Sequence, residues 1–225
     1  MARMPVMAYI VNNAGLWRQT DNQRPWYGKA LSLLPDCRNF SVIELGSGAG
    51  EFARLIEPRV KKITCVDLSA VYVKKLKQAG FEAVRTDFNQ NLPFSSRIFS
   101  LAISLEVIEH VVQAELFLKE VRRILKPGGW LVLSTPNIAW WGYRLMALIG
   151  RPPKKEGYHL RFFTAITLVK LLAESGFIVK KTVHFSTIPY LNRLLVRLKL
   201  KPVYPIIKIW PNLLAQDLVF LCRKK

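Results

Sequence analysis

Short apolar runs alternate with amphipathic stretches along most of the chain. Val42-Ile43-Glu44-Leu45 is followed by the turn-forming residues Gly46 to Gly50, and Glu51 to Glu57 then carries Phe52, Leu55 and Ile56 on one helical face. The order is strand, glycine loop, helix. The unit repeats: Ile63-Thr64-Cys65-Val66 ends at Asp67, a helix carries Val71, Tyr72 and Leu76, and Gly80 closes it before a strand from Glu82 to Arg85. A fourth strand, Ile98 to Leu105, feeds a helix bearing Val111, Leu116, Phe117, Leu118, Val121 and Ile124. Lys126-Pro127-Gly128-Gly129 stops that helix ahead of a fifth strand, Trp130 to Ser134. Alternation of this kind predicts a doubly wound α/β fold, with a mostly parallel sheet, right-handed crossovers and helices on both faces.

After Thr135-Pro136-Asn137 the pattern changes. Residues 138–158 read as an inserted helix and loop in which Trp140, Trp141 and Tyr143 accompany Arg144, Arg151, Lys154 and Lys155, a mixture suited to base stacking, to a bilayer interface, or to packing on the sheet as part of an acceptor pocket. A helix from Thr167 to Glu174 and a strand after Gly176-Phe177 resume the core, and Asp217 to Cys222 supplies a last strand. Between them, residues 188–215 carry Arg193, Arg197, Lys199, Lys201 and Lys208 and no acid, with Leu191, Leu194, Leu195 and Leu198 at helical spacing. A basic amphipathic helix reads as a membrane-surface element, or as a wall of an acceptor pocket. Residues 1–38, with Trp17, Trp26 and Tyr27, are expected to form an N-terminal cap over a ligand.

At 225 residues the chain fits a single domain, and a hydrophobic fraction of 51% excludes disorder as its main state. Charge changes the picture more: 34 Lys and Arg against 15 Asp and Glu give +19, a field that attracts nucleic acid or an anionic membrane. Cys37, Cys65 and Cys222 are far apart and odd in number, which supports neither a disulfide framework nor a zinc knuckle. The first residues lack a long apolar run, and no window reaches about 18 uninterrupted apolar residues, so a cytoplasmic protein is expected, peripheral at the inner face of the membrane if it docks there.

The glycine loop carries the first chemistry. A dinucleotide site wants a small residue three positions after Gly48, where pyrophosphate approaches the helix, and this chain has Glu51. Glu44, Gly46, Ser47, Gly48 and Gly50 therefore suit a ligand without phosphates, and Asp67 can accept from both hydroxyls of a ribose. From about Phe40 to Phe177 the chain resembles the class I S-adenosylmethionine-dependent methyltransferases. The resemblance implies a Rossmann-like seven-stranded sheet whose last strand, Asp217 to Cys222, runs antiparallel beside the fifth. It also implies that the loop contacts the methionine and ribose portions of the cofactor, that Asp67 with Leu68 holds the ribose, and that Asp87 with Phe88, in Thr86-Asp87-Phe88, lies near adenine. Leu125 to Asn137 resembles the family's later motif.

Methyl transfer from a sulfonium is an in-line displacement, so the protein must align a nucleophile and, for a hydroxyl, take its proton. Glu106, Glu109 and His110 stand at i, i+3 and i+4 and would share one face of a helix beginning there. This stretch resembles that of ubiquinone-biosynthesis O-methyltransferases and of small-RNA 2′-O-methyltransferases. The resemblance implies a divalent metal on Glu106, Glu109 and His110, with His159 matching a downstream histidine of the RNA enzymes; mixed O and N ligation admits Mg²⁺, Mn²⁺, Fe²⁺ or Zn²⁺. Without a metal, His110 is the general base. His184, on the sixth strand, reads as structural. The expected function is O-methylation of a hydroxyl on a lipid-, quinone- or glycan-like acceptor near a membrane. The rivals are an RNA 2′-O-methyltransferase and a non-catalytic cofactor-binding or membrane-adaptor protein. Oligomeric state is not legible.

Overall fold

The computed structural model describes residues 24–152 and 159–225. Helix α1 (Pro25–Leu33) precedes β1 (Ser41–Leu45), α2 (Glu51–Ile56), β2 (Lys62–Asp67), α3 (Ala70–Gln78), β3 (Glu82–Arg85) and β4 (Phe99–Leu105). Next come α4 (Ala114–Ile124), β5 (Leu125–Pro136), α5 (Trp141–Leu148), α6 (Ala165–Glu174), β6 (Phe177–Phe185), α7 (Pro189–Arg197), α8 (Pro211–Leu214) and β7 (Asp217–Lys224). The seven strands form one sheet in the order β3-β2-β1-β4-β5-β7-β6, with β7 antiparallel to both its neighbours. The doubly wound reading and the antiparallel last strand both hold.

The central strands are nearly continuous apolar runs because helices cover both faces. In α4, Ala114, Phe117, Leu118, Val121 and Ile124 are all buried, a stripe at helical spacing that seats the helix on one face with α6. On the other face α1, α2 and α3 pack Tyr27, Ala30, Phe52 and Leu76 against β1, β4 and β7. Strand order reverses between β1 and β4, both parallel, so a crevice opens at their C-terminal ends. The antiparallel pairing of β7 brings its start, Asp217, opposite Pro136 and Phe185. The segments after β1, β4, β5 and β6 therefore all leave the sheet at this one edge.

Asn137 ties that edge together. Fully buried, it donates through Nδ2 to the carbonyls of Pro211 (3.1 Å) and Ala215 (2.7 Å), and it forms a bridge with Phe163. Asn212 Oδ1 in turn accepts from the Ala165 amide (2.9 Å). Both long segments after β5 and β6 are thus held to a common point.

One expectation needs correction. No helix begins at Glu106: that residue has φ of 57°, a single turn of 3-10 helix spans Ile108–His110, and α4 starts only at Ala114. The strand is still ending there, and the Glu106 amide donates to Ser134 Oγ on β5 (3.1 Å). Of the three rings for which the sequence leaves surface contact and packing on the sheet both open, Trp140 and Tyr143 are buried edge-to-face against each other with centroids 5.1 Å apart, and Trp141 is exposed. Leu191, Leu194 and Leu198 are exposed and Leu195 is half-buried. Trp17 and the loop residues Lys154 and Lys155 lie outside the described residues; Trp26 and Tyr27 are on α1.

Candidate active site

The glycine loop is built by backbone geometry. Gly46, Gly48 and Gly50 hold φ of 80°, 53° and 84°, in the left-handed region that a Cβ penalises. They differ in what surrounds them. A Cβ on Gly46 would run into Val107, and one on Gly50 would come within 2.7 Å of Leu76 Cδ2, so those two glycines serve packing. A Cβ on Gly48 would meet only Glu51 Oε2, at 3.7 Å, so the loop is open there. The amides of Gly46 and Ser47 donate to Val66 O (2.8 and 3.0 Å), and Ser47 Oγ bridges the Glu44 carbonyl and the Val66 amide. The Ser47 hydroxyl, assigned from the sequence to the cofactor, is therefore spent on joining β1 to β2.

Three carboxylates surround the loop. Glu44 is buried, and burial followed by the nearby charges of Glu51 and Asp67 pushes its carboxyl up to about 8; its Oε2 has no hydrogen-bond partner among the described residues. Asp67 is also raised by burial, against the hydrogen bonds it accepts from Ser69 N (2.8 Å) and Gly48 N (2.9 Å). Glu51 faces Arg24 at 3.9 Å and keeps Oε2 buried without a hydrogen-bond partner among the described residues. The sequence counted Glu51 only against pyrophosphate and did not single out Arg24, which sits over the Tyr27 ring at 5.6 Å. Among the described residues Arg24 is the one cation paired with this acidic set, which fits a cationic ligand, and S-adenosylmethionine brings an ammonium and a sulfonium. The open approach at Gly48 and the Asp67 carboxylate fit the same ligand.

Asp87 and Phe88 sit on the neighbouring loop. Asp87 Oδ1 accepts from the amide and side chain of Asn89 (2.9 and 3.0 Å), while Phe88 packs on Phe117 of α4 at 5.7 Å. The loop is pinned by Glu120, which accepts from Leu92 N (2.8 Å), and by Arg123, which donates to the carbonyls of Leu92 (2.9 Å) and Phe94 (2.7 Å). Leu68 is partly buried at the end of β2.

On the other side of the crevice, Glu109, His110 and His159 present ligand atoms within 4.8 Å of one another. The rings of His110 and His159 stand edge to face, 4.7 Å apart. His159 arrives from 49 residues downstream because the Glu109 carbonyl accepts from the amides of Leu160 (2.8 Å) and Arg161 (3.0 Å). Arg161 Nε and Nη2 donate to Val112 O at 2.9 and 2.6 Å. Glu109 is almost fully buried and its Oε2 accepts from Thr135 Oγ1 (3.1 Å), which orients it. Glu106 is not in the group; its Oε1 accepts from Ser134 Oγ (2.8 Å). One carboxylate and two imidazoles fit Zn²⁺, Mn²⁺ or Fe²⁺ better than Mg²⁺, which prefers all-oxygen shells. A small cavity beside Glu109 and His159 is also lined by Pro136, Ile138, Tyr143, Arg161 and Phe162.

A family model described as a methyltransferase domain matches residues 16–182. A protein of Mycobacterium tuberculosis named a probable S-adenosylmethionine-dependent methyltransferase is 29% identical over 148 residues, 65% of this chain and 52% of that one. A ubiquinone biosynthesis O-methyltransferase of a Bradyrhizobium species is 26% identical over 176 residues, 73% and 68% of the two chains. The chain spans about half the length of the mycobacterial relative. Among solved structures, a SAM-dependent methyltransferase of Thermotoga maritima superposes with a TM-score of 0.69 at 22% identity, covering 98% of both chains, which shows the shared fold. With the glycine loop, its acidic partners and the sheet order in place, the chain belongs to the methyltransferase-domain family, whose cofactor is S-adenosylmethionine.

Proposed function

We propose that this domain transfers a methyl group from S-adenosylmethionine to a hydroxyl oxygen on an amphipathic, lipid-, quinone- or glycan-like acceptor near a membrane. The observation that carries the reading is the convergence of Glu109, His110 and His159, with a small cavity lined by Ile138, Tyr143 and Phe162 against Glu109 and His159. Val107, two residues before Glu109, packs on Gly46, so the acidic cofactor pocket and the histidine pair share a wall. The similarity to a ubiquinone biosynthesis O-methyltransferase also supports a hydroxyl acceptor.

Bound S-adenosylmethionine supplies an electrophilic methyl on a positively charged sulfur. Glu44 and Asp67 hold the cofactor's cationic and ribose ends, and Ile138, Tyr143 and Phe162 offer apolar contact to the acceptor. With no ion bound, an acceptor hydroxyl beside Glu109 loses its proton to His110 as the oxygen takes the methyl. Glu109, His110 and His159 would hold a divalent ion, which would lower the pKa of that hydroxyl. Glu106, tied to Ser134, orients the turn rather than the acceptor.

Incubation of the purified protein with labelled S-adenosylmethionine and a cell extract, with and without a chelator, tests the reading. Label is expected in the lipid-soluble fraction; RNase-sensitive label would replace the acceptor with RNA, and no label in any fraction would leave only cofactor binding. Loss of transfer with the chelator, restored by Zn²⁺ or Mn²⁺, is the expected sign of the ion.

A further inference from the structure

An amphipathic helix ordinarily buries its apolar stripe. In α7 it does not: Leu191, Leu194 and Leu198 are 40%, 53% and 59% exposed, and no described side chain of the helix is buried. The exposure continues along the chain to Ile209 and Trp210, each 71% exposed. Trp210 holds φ of 46°, a left-handed conformation strained for a bulky residue. A strained tip that displays adjacent Ile and Trp side chains to water points to a non-aqueous destination for them.

A second apolar set emerges from the same edge of the sheet. On α5 and just beyond it, Leu145, Leu148 and Ile149 are 52%, 83% and 61% exposed. Phe162 lines the cavity beside Glu109 and is itself 57% exposed, so exposed apolar surface reaches that cavity. Through Asn137, the segments carrying both sets are fastened to one point beside the crevice. Cations accompany them: Arg144, Arg193, Arg197, Lys199 and Lys208 are interspersed, and residues 188–215 contain no acid.

We propose that this edge of the domain docks on an anionic lipid bilayer. Ile209, Trp210, Leu148 and Ile149 enter the boundary between headgroups and acyl chains, while the arginines and lysines meet lipid anions. The cavity then lies at the membrane surface, where an amphipathic acceptor reaches Glu109 and His110 without crossing water. A second copy of the chain fits less well, since pairing these faces would set cations against cations in molecules of net charge +19. RNA fits less well because the exposed side chains are mostly aliphatic, whereas base stacking uses rings. The docking stands on these surface residues alone; only the membrane origin of the acceptor rests on the proposed O-methyl transfer.

The test is flotation of the full chain with vesicles of phosphatidylcholine alone or with 30% phosphatidylserine, at about 0.1 and 0.5 M salt. Binding is expected to require phosphatidylserine and to weaken with salt. Ile209→Ser with Trp210→Ser is expected to lower partitioning at least about tenfold. Glutamine in place of Arg193, Arg197, Lys199 and Lys201 is expected to lower it by on the order of a hundredfold. All these residues are solvent-exposed, so thermal melting and S-adenosylmethionine affinity should match the unaltered protein. Absence of binding to phosphatidylserine vesicles, or partitioning of both variants equal to that of the unaltered protein, overturns the proposal. So does self-association that the Ile209/Trp210 variant abolishes, or RNA competing vesicles away with the variants unaffected. Vesicle binding without methyl transfer in the labelling assay would keep the docking and discard the acceptor reading.

Discussion

Glu44→Gln isolates the acidic pocket. In the folded protein without ligand, the buried Glu44 carboxyl holds its proton up to about pH 8, whereas in an unfolded chain it titrates at the ordinary 4.5. A raised carboxyl contributes its full stability below 4.5 and loses it as pH rises toward 8. Each pH unit in that window costs about 1.4 kcal/mol, so the unaltered protein should lose about 3 kcal/mol from this group between pH 4.5 and 7. The substituted glutamine has the same shape and no titration, so the variant should lack that component of the slope. Urea unfolding of both proteins at pH 5 and pH 7, without cofactor, measures the difference. A cationic ligand beside Glu44 displaces the proton, so S-adenosylmethionine affinity should rise with pH, by up to about tenfold per unit below 8, and should flatten and weaken in the variant. Calorimetry in two buffers of different ionisation enthalpy would detect the released proton. Parallel stability curves for the two proteins, or affinity independent of pH in the unaltered one, would refute the argument that the pocket stores an uncompensated carboxyl.

Other perturbations test other parts. Glu120→Ala removes the acceptor for Leu92 N and the partner of Arg123, and should cost about 2 kcal/mol of stability in urea unfolding, with Glu120→Gln costing less because it still accepts from Leu92. His184 is buried against Phe220 and desolvation lowers it to about 4 from 6.5. Its depressed value means that stability is intact above 6.5 and is lost as pH falls to 4, by about 2–3 kcal/mol, a loss that His184→Leu should abolish in urea midpoints taken at pH 7 and 4.5. Arg161→Met frees the Val112 carbonyl from two hydrogen bonds and loosens the approach of His159, so kcat should fall about tenfold with S-adenosylmethionine affinity unchanged; unchanged kcat in a labelled-methyl assay would remove Arg161 as a positioning residue.

The fold was legible because its signals are local and repeated. Val42 to Leu45, Ile63 to Val66 and Ile98 to Leu105 are apolar runs of strand length, each followed by a helical stripe, and burial on both sheet faces requires that pattern. Where tertiary contacts overrode local pattern, the reading failed. Glu106, Glu109 and His110 have helical spacing, yet β5 holds Glu106 through Ser134, a single 3-10 turn forms at Ile108–His110, and the α-helix starts only at Ala114. Trp140 and Tyr143 left surface contact and packing both open because cations are adjacent to them in sequence, and they pack on each other.

For the site, the decisive signals were spread across residues that only folding brings together. The order of Glu109, His110 and His159 suggested convergence, but its cause, the Glu109 carbonyl accepting from Leu160 and Arg161, is backbone geometry that side-chain identity does not encode. Glu51 illustrates the opposite case. Its charge was visible and was used to argue against a phosphate ligand, yet the same carboxylate, set beside Glu44 and Asp67, makes the loop a site for a cation. A residue that excludes one ligand class therefore selects another, once the sheet has placed β1 beside β2 and brought their carboxylates to one edge.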